Sequence, residues 1–435
     1  MDRARLASYS KWLWKDNLAG HLDNRANNIT LLRLCLATMV LYGHSFAVSG
    51  EAGSPLLFSR AFGKGSWIGA TAVNLFFFVS GLLITRSYAQ RKNFADYFWA
   101  RFQRIYPANA VCTVLCVFLL GTVFTAFPLW QYLTDPNTYR HLFSNLFLWR
   151  VSWVLPGLFT THKMTAVNGS LWSLPVELRC YFVVGIIGLL GGLKARWTMN
   201  LTLLVLLVVG LTEWRAIPMM GESAHHLRAV TYFAVGSFCF ANARYVVLSR
   251  VLCLGLIFCC YYWFGAAFYP TLFSVTSCYT LLILAYRVPY TRMNEWGDFS
   301  YGMYIYAFPV QQMWVQLFPT WKGYQNALAA FPSTLLLAML SWFFVEKPAI
   351  AWRRAEKRRA KTKTIAAEEG VVDHFLLLQG LDSVGLTQDD LASMAGTTRP
   401  TANRVLKRAE ADGLLRLGRG RVEILDTGRL AHRAR

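Results

Sequence analysis

RLCLATMVLYGH, residues 33–44, lies within an apolar run long enough to cross a bilayer, yet an arginine opens it and a histidine closes it. Eleven residues at 100° apiece come within about 20° of three full turns, so on a helix Arg33 and His44 share one face at depths about 16 Å apart. Ionisable side chains inside a span are expensive, which makes such a pair a functional expectation. Each has a plainer reading when taken singly. Arg33 can snorkel to the headgroups, and His44 can hydrogen-bond a neighbouring helix.

The solvent around this run follows from composition. Of the residues, 55% are hydrophobic and only 15% charged, and the apolar residues fall in repeated runs of about 20, the length that spans hydrocarbon. The expected fold class is therefore an all-α polytopic membrane protein. Residues 1–28 are mixed polar and basic with no short apolar core before a cleavage site, so they read as a cytoplasmic segment and the first span as an uncleaved anchor. Nine cysteines at irregular spacing fit neither a disulfide framework nor a metal site, and are expected to be small core residues.

Ten spans are expected, near 29–48, 67–85, 105–127, 172–193, 198–211, 226–242, 250–266, 268–286, 298–318 and 327–346. The loop 86–104 carries Arg86, Arg91, Lys92, Arg101 and Arg104, and alternate later loops carry Lys194/Arg196, Arg244/Arg250 and Arg287/Arg292. Those loops face the cytoplasm by the positive-inside rule, which puts both termini there. Residues 141–155 are apolar but short, and they contain Arg150; they read as re-entrant or interfacial.

The bundle is expected over 29–346. Beyond it, 347–363 holds eight basic residues and one acid, the pattern of a juxtamembrane segment on anionic lipid, so 347–369 reads as a basic linker. This cluster accounts for much of the +21 net charge, which alone does not argue for nucleic acid. From 370 to 435 the chain looks soluble. LTQDDLASMAG is helical in pattern, a turn follows at Gly396, a second helix runs through TRPTANRVLKRAEADGLL, and LRLGRGRVEILD alternates like a hairpin around Gly418 and Gly420.

Other polar residues interrupt the spans. Asn74 and Ser80 lie in VNLFFFVSGLL, RFQRIYP places Arg101, Arg104 and Tyr106 at the cytoplasmic mouth of the third span, and NGSLWSLPVE puts Ser173 and Glu177 at the outer start of the next. Together they would line a polar path with a basic inner end, suited to phosphates, a titratable histidine in its middle and a carboxylate outside. For the two arginines the plainer reading is positive-inside bias.

Arg33 and His44 with ten residues between them, FFFVSGLLI, RFQRIYP, SLWSLPVE and WFFVEKP resemble the acyltransferase type 3 family of bacterial integral-membrane acyltransferases, over about 29–348. The resemblance implies a bundle in the bacterial cytoplasmic membrane that takes an acyl group, commonly acetyl, from cytoplasmic acyl-coenzyme A to a hydroxyl of a glycan or lipid-linked saccharide outside. It implies a catalytic role for His44 with Arg33 as motif partner, coenzyme contacts at Arg101, Arg104 and Tyr106, and a motif acid at Glu177. Asn74, Ser80 and Ser173 would line the substrate path, with acyl-coenzyme A as donor substrate and no metal. General-base catalysis by His44 and transient acylation of it both remain open. The segment 370–430 is similar to the winged helix-turn-helix of cyclic-AMP-receptor-type regulators. That likeness implies DNA contacts at Arg399, Thr401 and Arg404, although Pro400 stands where the motif has a base-reading glutamate. Two rival readings stay open, a membrane-tethered transcriptional regulator whose bundle senses a ligand and a proton-coupled exporter.

Overall fold

The computed structural model describes residues 16–24, 26–51, 67–91, 93–148, 150–193, 195–212, 223–352, 383–384, 390, 392–393, 399–418 and 421–434. Most of the N-terminal segment, the linker beyond 352, and most of the helix expected over 386–396 with its turn at Gly396 lie outside the described residues. The chain divides into two compact units, Met1–Ala349 and Ile350–Arg435.

The first unit is helical. After a short turn at Leu18–Leu22, its helices are α1 (Ile29–Val48), α2 (Ile68–Arg91), α3 (Phe94–Leu115), α4 (Pro136–Phe147), α5 (Ser173–Leu189), α6 (Arg196–Thr212), α7 (Ala224–Ala241), α8 (Arg250–Tyr262), α9 (Tyr269–Tyr286), α10 (Ser300–Leu317) and α11 (Gly323–Ser341). Each of the ten apolar stretches carries a helix, but among the described residues six helical segments are long and apolar enough to cross a membrane. These are Ile29–Val48, Ile68–Arg91, Phe94–Phe124, Gly169–Leu189, Tyr269–Tyr286 and Gly323–Trp352. The protein is a multi-pass membrane protein. Helix α10 falls outside that set because it is polar: every residue from Ser300 to Gln312 is buried, so its Tyr, Ser and Gln side chains face protein.

Pairing within the bundle rests on small residues. A Cβ on Gly81 of α2 would lie 1.9 Å from the Phe233 carbonyl oxygen of α7, and one on Gly236 would lie 2.0 Å from that of Phe78. Only glycines allow this approach, and Thr85 Oγ1 uses it to donate to Ser237 Oγ at 2.9 Å. Helices α1 and α2 run in opposite directions. Gly43 near the end of α1 packs against the Gly69 backbone, while Asp23, just before α1, pairs with Arg86 near the end of α2 at 2.8 Å.

The stretch 141–155 is explained by α4. Twelve residues reach about 18 Å, well short of hydrocarbon thickness, and the helix is two-faced: Thr138, His141 and Asn145 are buried while Phe143 and Phe147 are exposed. Leu148 ends it at φ 54, and Asn145 holds the returning chain through both the amide and the carbonyl of Ser152. The chain then turns into the bundle, where Leu158, Phe159, Val167, Ser170 and Leu171 are all buried. Helix α5 thus begins inside the bundle. Of the cysteines, five are buried and three half-buried, as core residues should be, but Cys35 is exposed on the side of α1.

In the second unit, β1 (Ser383–Val384), β2 (Leu415–Gly418) and β3 (Arg421–Ile424) form an antiparallel sheet in the order β1, β3, β2, accompanied by α12 (Arg399–Ala411) and α13 (Thr427–Ala434). Its core closes on itself through Val405, Leu406, Ala409, Leu414, Leu415, Val422, Ile424 and Leu430. Helix α12 stops at Gly413, whose φ of +70 suits a residue without a Cβ.

Candidate active site

His44 is buried and sits in an aromatic box. Its ring meets Trp67 edge-on at 4.9 Å and Phe308 at 5.1 Å between centroids. Both neighbours are seated on glycines: a Cβ on Gly69 or Gly43 would strike the Trp67 ring at 2.0 or 2.4 Å, and one on Gly169 would strike Phe308 at 2.6 Å. Among the described residues no hydrogen bond holds either imidazole nitrogen, which leaves both open to a reactant.

Pro309 fixes the position of Phe308. Proline has no N–H, so the Ile305 carbonyl one turn earlier loses its helical partner. Asn168 Nδ2 donates to that carbonyl at 2.9 Å, which pins the turn Gly169–Trp172 against α10 beside His44.

Arg33 faces a different environment on the same helix. Its Nη1 lies 2.7 Å from Asp298 Oδ2, and Arg104 Nη2 lies 2.6 Å from the same oxygen. Arg104 Nη1 reaches Glu346 Oε2 at 3.1 Å, and Ser341 Oγ donates to Glu346 Oε1 at 3.1 Å. Ser300, through hydroxyl and amide, completes Asp298. Two guanidiniums and two carboxylates thus balance within the bundle. A wide π-helical turn, Trp342–Glu346, places the Glu346 carboxylate and the Trp342 ring, 5.6 Å away, on Arg104 together.

Glu177 does not stand at an opening beyond His44, as the sequence reading placed it. Ser80 Oγ donates to its Oε1 at 2.5 Å, and the Tyr181 hydroxyl donates to the same oxygen. From Gly69 to Ser80 and from Gly43 to Arg33 the helices advance about 15–16 Å each, so Ser80 and Glu177 lie level with Arg33. The cause is the buried turn before α5, which starts that helix deep and carries Glu177 one turn deeper. Ser173 meets the Tyr304 hydroxyl at 2.6 Å, between the two levels. Asn74 is buried on α2, about 8 Å from Gly69 toward Ser80. By depth, Asn74, Ser173 with Tyr304, and Ser80 with Glu177 thus mark out a polar column between the level of His44 and that of the Arg33 cluster.

The expected basic pair separates. Arg104 is committed to Asp298 and Glu346, whereas Arg101 Nη2 donates to Ser87 Oγ at 2.9 Å, its guanidinium lies over Tyr97, and its Nε is buried with no hydrogen-bond partner among the described residues. Tyr106 joins neither. It stacks on Phe102, which stacks on Trp99, in a stripe along α3 that turns toward Phe147 of α4. Sequence reasoning missed Asp298, Tyr181, Trp67 and Phe308, and gave Glu346 no role. Asp298 had a signal, an acid at the edge of a span; the aromatic residues had none. In the second unit, Arg399 and Arg404 are exposed on α12, and the side chain of Thr401 lies outside what the structure describes. Among the described residues no group of His, Cys, Asp or Glu is arranged to hold a metal.

A family profile described as an acyltransferase domain matches residues 27–346, and one described as a Crp-like helix-turn-helix domain matches 372–433. The chain belongs to that acyltransferase family, with a Crp-like helix-turn-helix domain at its C-terminal end, and is an acyltransferase. It is 31% identical over 335 residues to an O-acetyl transferase of Shigella phage Sf6, covering 74% of this chain and 96% of that protein. It is 24% identical over 375 residues to nodulation protein 10 of Rhizobium leguminosarum bv. viciae, covering 77% and 95%. A crystal structure of Thermus thermophilus catabolite activator protein shares 27% identity, covering 25% of this chain and 52% of that one, with a TM-score of 0.20 that carries no structural weight.

Proposed function

We propose that the protein moves an acetyl group from cytoplasmic acetyl-coenzyme A to a hydroxyl of a glycan or lipid-linked saccharide on the outer side of the bacterial inner membrane. The observation that carries this reading is the polar column, with an unengaged histidine in an aromatic box at one level, Arg33 and Arg104 about 15 Å away, and Arg101 deeper still, at the level of Ser87. Loop charge puts the arginines toward the cytoplasm, with both termini on that side. Arg101, whose Nε is buried with no hydrogen-bond partner among the described residues, receives coenzyme phosphate there. The pantetheine arm runs past Ser80 and Asn74 to bring the thioester to His44. His44 takes the acceptor proton as its oxygen attacks the carbonyl, the C–S bond breaks, and the imidazolium returns the proton to the coenzyme thiolate. Arg33, held by Asp298, sets the charge at the donor end. Glu177, level with Arg33, belongs to that end too.

The test is direct. Purified protein, radiolabelled acetyl-coenzyme A and the glycan pool released from the envelope of the producing cells should yield labelled glycan. Binding of the coenzyme with no label in any envelope fraction would sink the reading.

A second reading, the membrane-tethered regulator, is favoured by one observation: Arg404, Lys407 and Arg408 are exposed along α12, the helix such domains set in the major groove. The two readings part on truncation. A chain ending at Ala367 should insert and transfer acetyl groups at near the full rate, because the bundle closes its own core within the first unit. Normal insertion with lost activity would shift the weight to regulation by the tail.

A further inference from the structure

We infer that His162 and Gln316 form the hydroxyl-recognition subsite for the saccharide acceptor, at the outer approach to His44. The inference rests on the proposed transfer and adds the residues that select its acceptor. Phe308, Gln312 and Gln316 follow one another at four-residue steps, so they occupy one stripe of α10 that climbs about 6 Å per step from the His44 ring toward the outer end. His162, from the chain that turns into the bundle before α5, lies across the upper two. Its Nδ1 is 2.8 Å from Gln312 Oε1 and its Nε2 is 2.8 Å from Gln316 Oε1.

The two glutamines are not equivalent. Gln312 is fully buried, and its Nε2 donates to the carbonyls of Met164 and Ala166, both at 2.6 Å. Its amide is fixed, so its oxygen must accept and His162 Nδ1 must carry the proton. In the Nδ1–H tautomer Nε2 is the acceptor, and it takes its hydrogen bond from the Gln316 amide turned to face it. Gln316 has no other hydrogen bond among the described residues, so its half-buried amide is free to turn over, offering N–H or oxygen as required. The pair therefore leaves one amide N–H and one amide oxygen of Gln316 that the imidazole does not use. Phe159 stacks on the other side of the imidazole at 4.8 Å and 16°, holding the ring plane.

A neutral donor and acceptor a few ångströms apart match adjacent hydroxyls of a sugar ring, one giving and one receiving a hydrogen bond. A phosphate or a carboxylate is held best by a charge-assisted bond, which a neutral amide does not supply. A saccharide hydroxyl pair engaged here would leave a further hydroxyl of the same or the next residue to reach down the stripe toward His44.

The experiment uses the full-length protein and the envelope glycan pool, measured in sugar equivalents. His162→Ala and Gln316→Ala should each raise the KM for glycan about 3–10-fold, the effect of one lost neutral hydrogen bond, with kcat and the KM for acetyl-coenzyme A changed less than about two-fold. Unchanged glycan KM in both variants, or equal rises for both substrates, overturns the subsite. A measurement on the unsubstituted protein stands independently of folding: glycan, and not acetyl-coenzyme A, should slow carbethoxylation of His162, read by peptide mass spectrometry. Equal rates with and without glycan overturn it. Protection without any acetyl transfer would retain the subsite and sink the proposed reaction instead.

Discussion

His44→Ala should abolish acetyl transfer while the protein still inserts and purifies. The imidazole is the titratable group at the centre of the aromatic box, and among the described residues it makes no hydrogen bond whose loss would unfold the bundle. Removing a general base costs about 10²–10⁴-fold in rate. The alanine leaves a small void between Trp67 and Phe308, a packing loss that a multi-helix bundle absorbs. Initial rates at saturating acetyl-coenzyme A and glycan give the answer. A variant that keeps a tenth of the wild-type rate would remove His44 from the chemistry.

Arg104→Glu and Arg101→Glu should fail in different ways, although the two arginines sit three residues apart in one motif. Arg104→Glu leaves Asp298 and Glu346 facing a third carboxylate where a guanidinium had bridged them, with only Arg33 on Asp298 to offset three negative charges. Breaking a buried pair by removing one partner costs about 3–5 kcal/mol, and reversal costs more, so the variant should be lost from the detergent-soluble fraction or melt far below wild type. Among the described residues Arg101 hydrogen-bonds the Ser87 hydroxyl and lies over the Tyr97 ring, with no carboxylate partner. Arg101→Glu should therefore fold and raise the KM for acetyl-coenzyme A about 10–100-fold, the range for one charge-assisted hydrogen bond, with the glycan KM little changed. A folded, active Arg104→Glu would mean the ion network is dispensable. An Arg101→Glu with wild-type coenzyme KM would move the phosphates elsewhere.

The membrane class, the positions of the helices and the Crp-like tail were legible in the chain because each is a one-dimensional property. Runs of about 20 apolar residues, the three-turn spacing of Arg33 and His44, and basic loops state themselves without neighbours. The number of lipid-crossing helices was not legible in the same way. Helix α10 carries Tyr, Ser and Gln because other helices shield it, and shielding belongs to the packed bundle. The aromatic pattern of RFQRIYP likewise gave no hint that Tyr106 turns to α4 while Arg104 turns inward.

Depth was the other property that only tertiary structure decided. Glu177 stands at the start of a span in sequence, and a span start reads as a surface. The buried turn before α5, held by Asn168 on the carbonyl that Pro309 leaves free, draws that start into the bundle and sets Glu177 level with Arg33. Asp298 shows the same thing from the other side. In the chain it is one acid 265 residues from Arg33 and 194 from Arg104, and one oxygen atom of it binds both. Sequence fixes which charges a membrane chain contains; which of them cancel depends on contacts between distant helices, because a buried charge is stable only against the partner that folding brings to it.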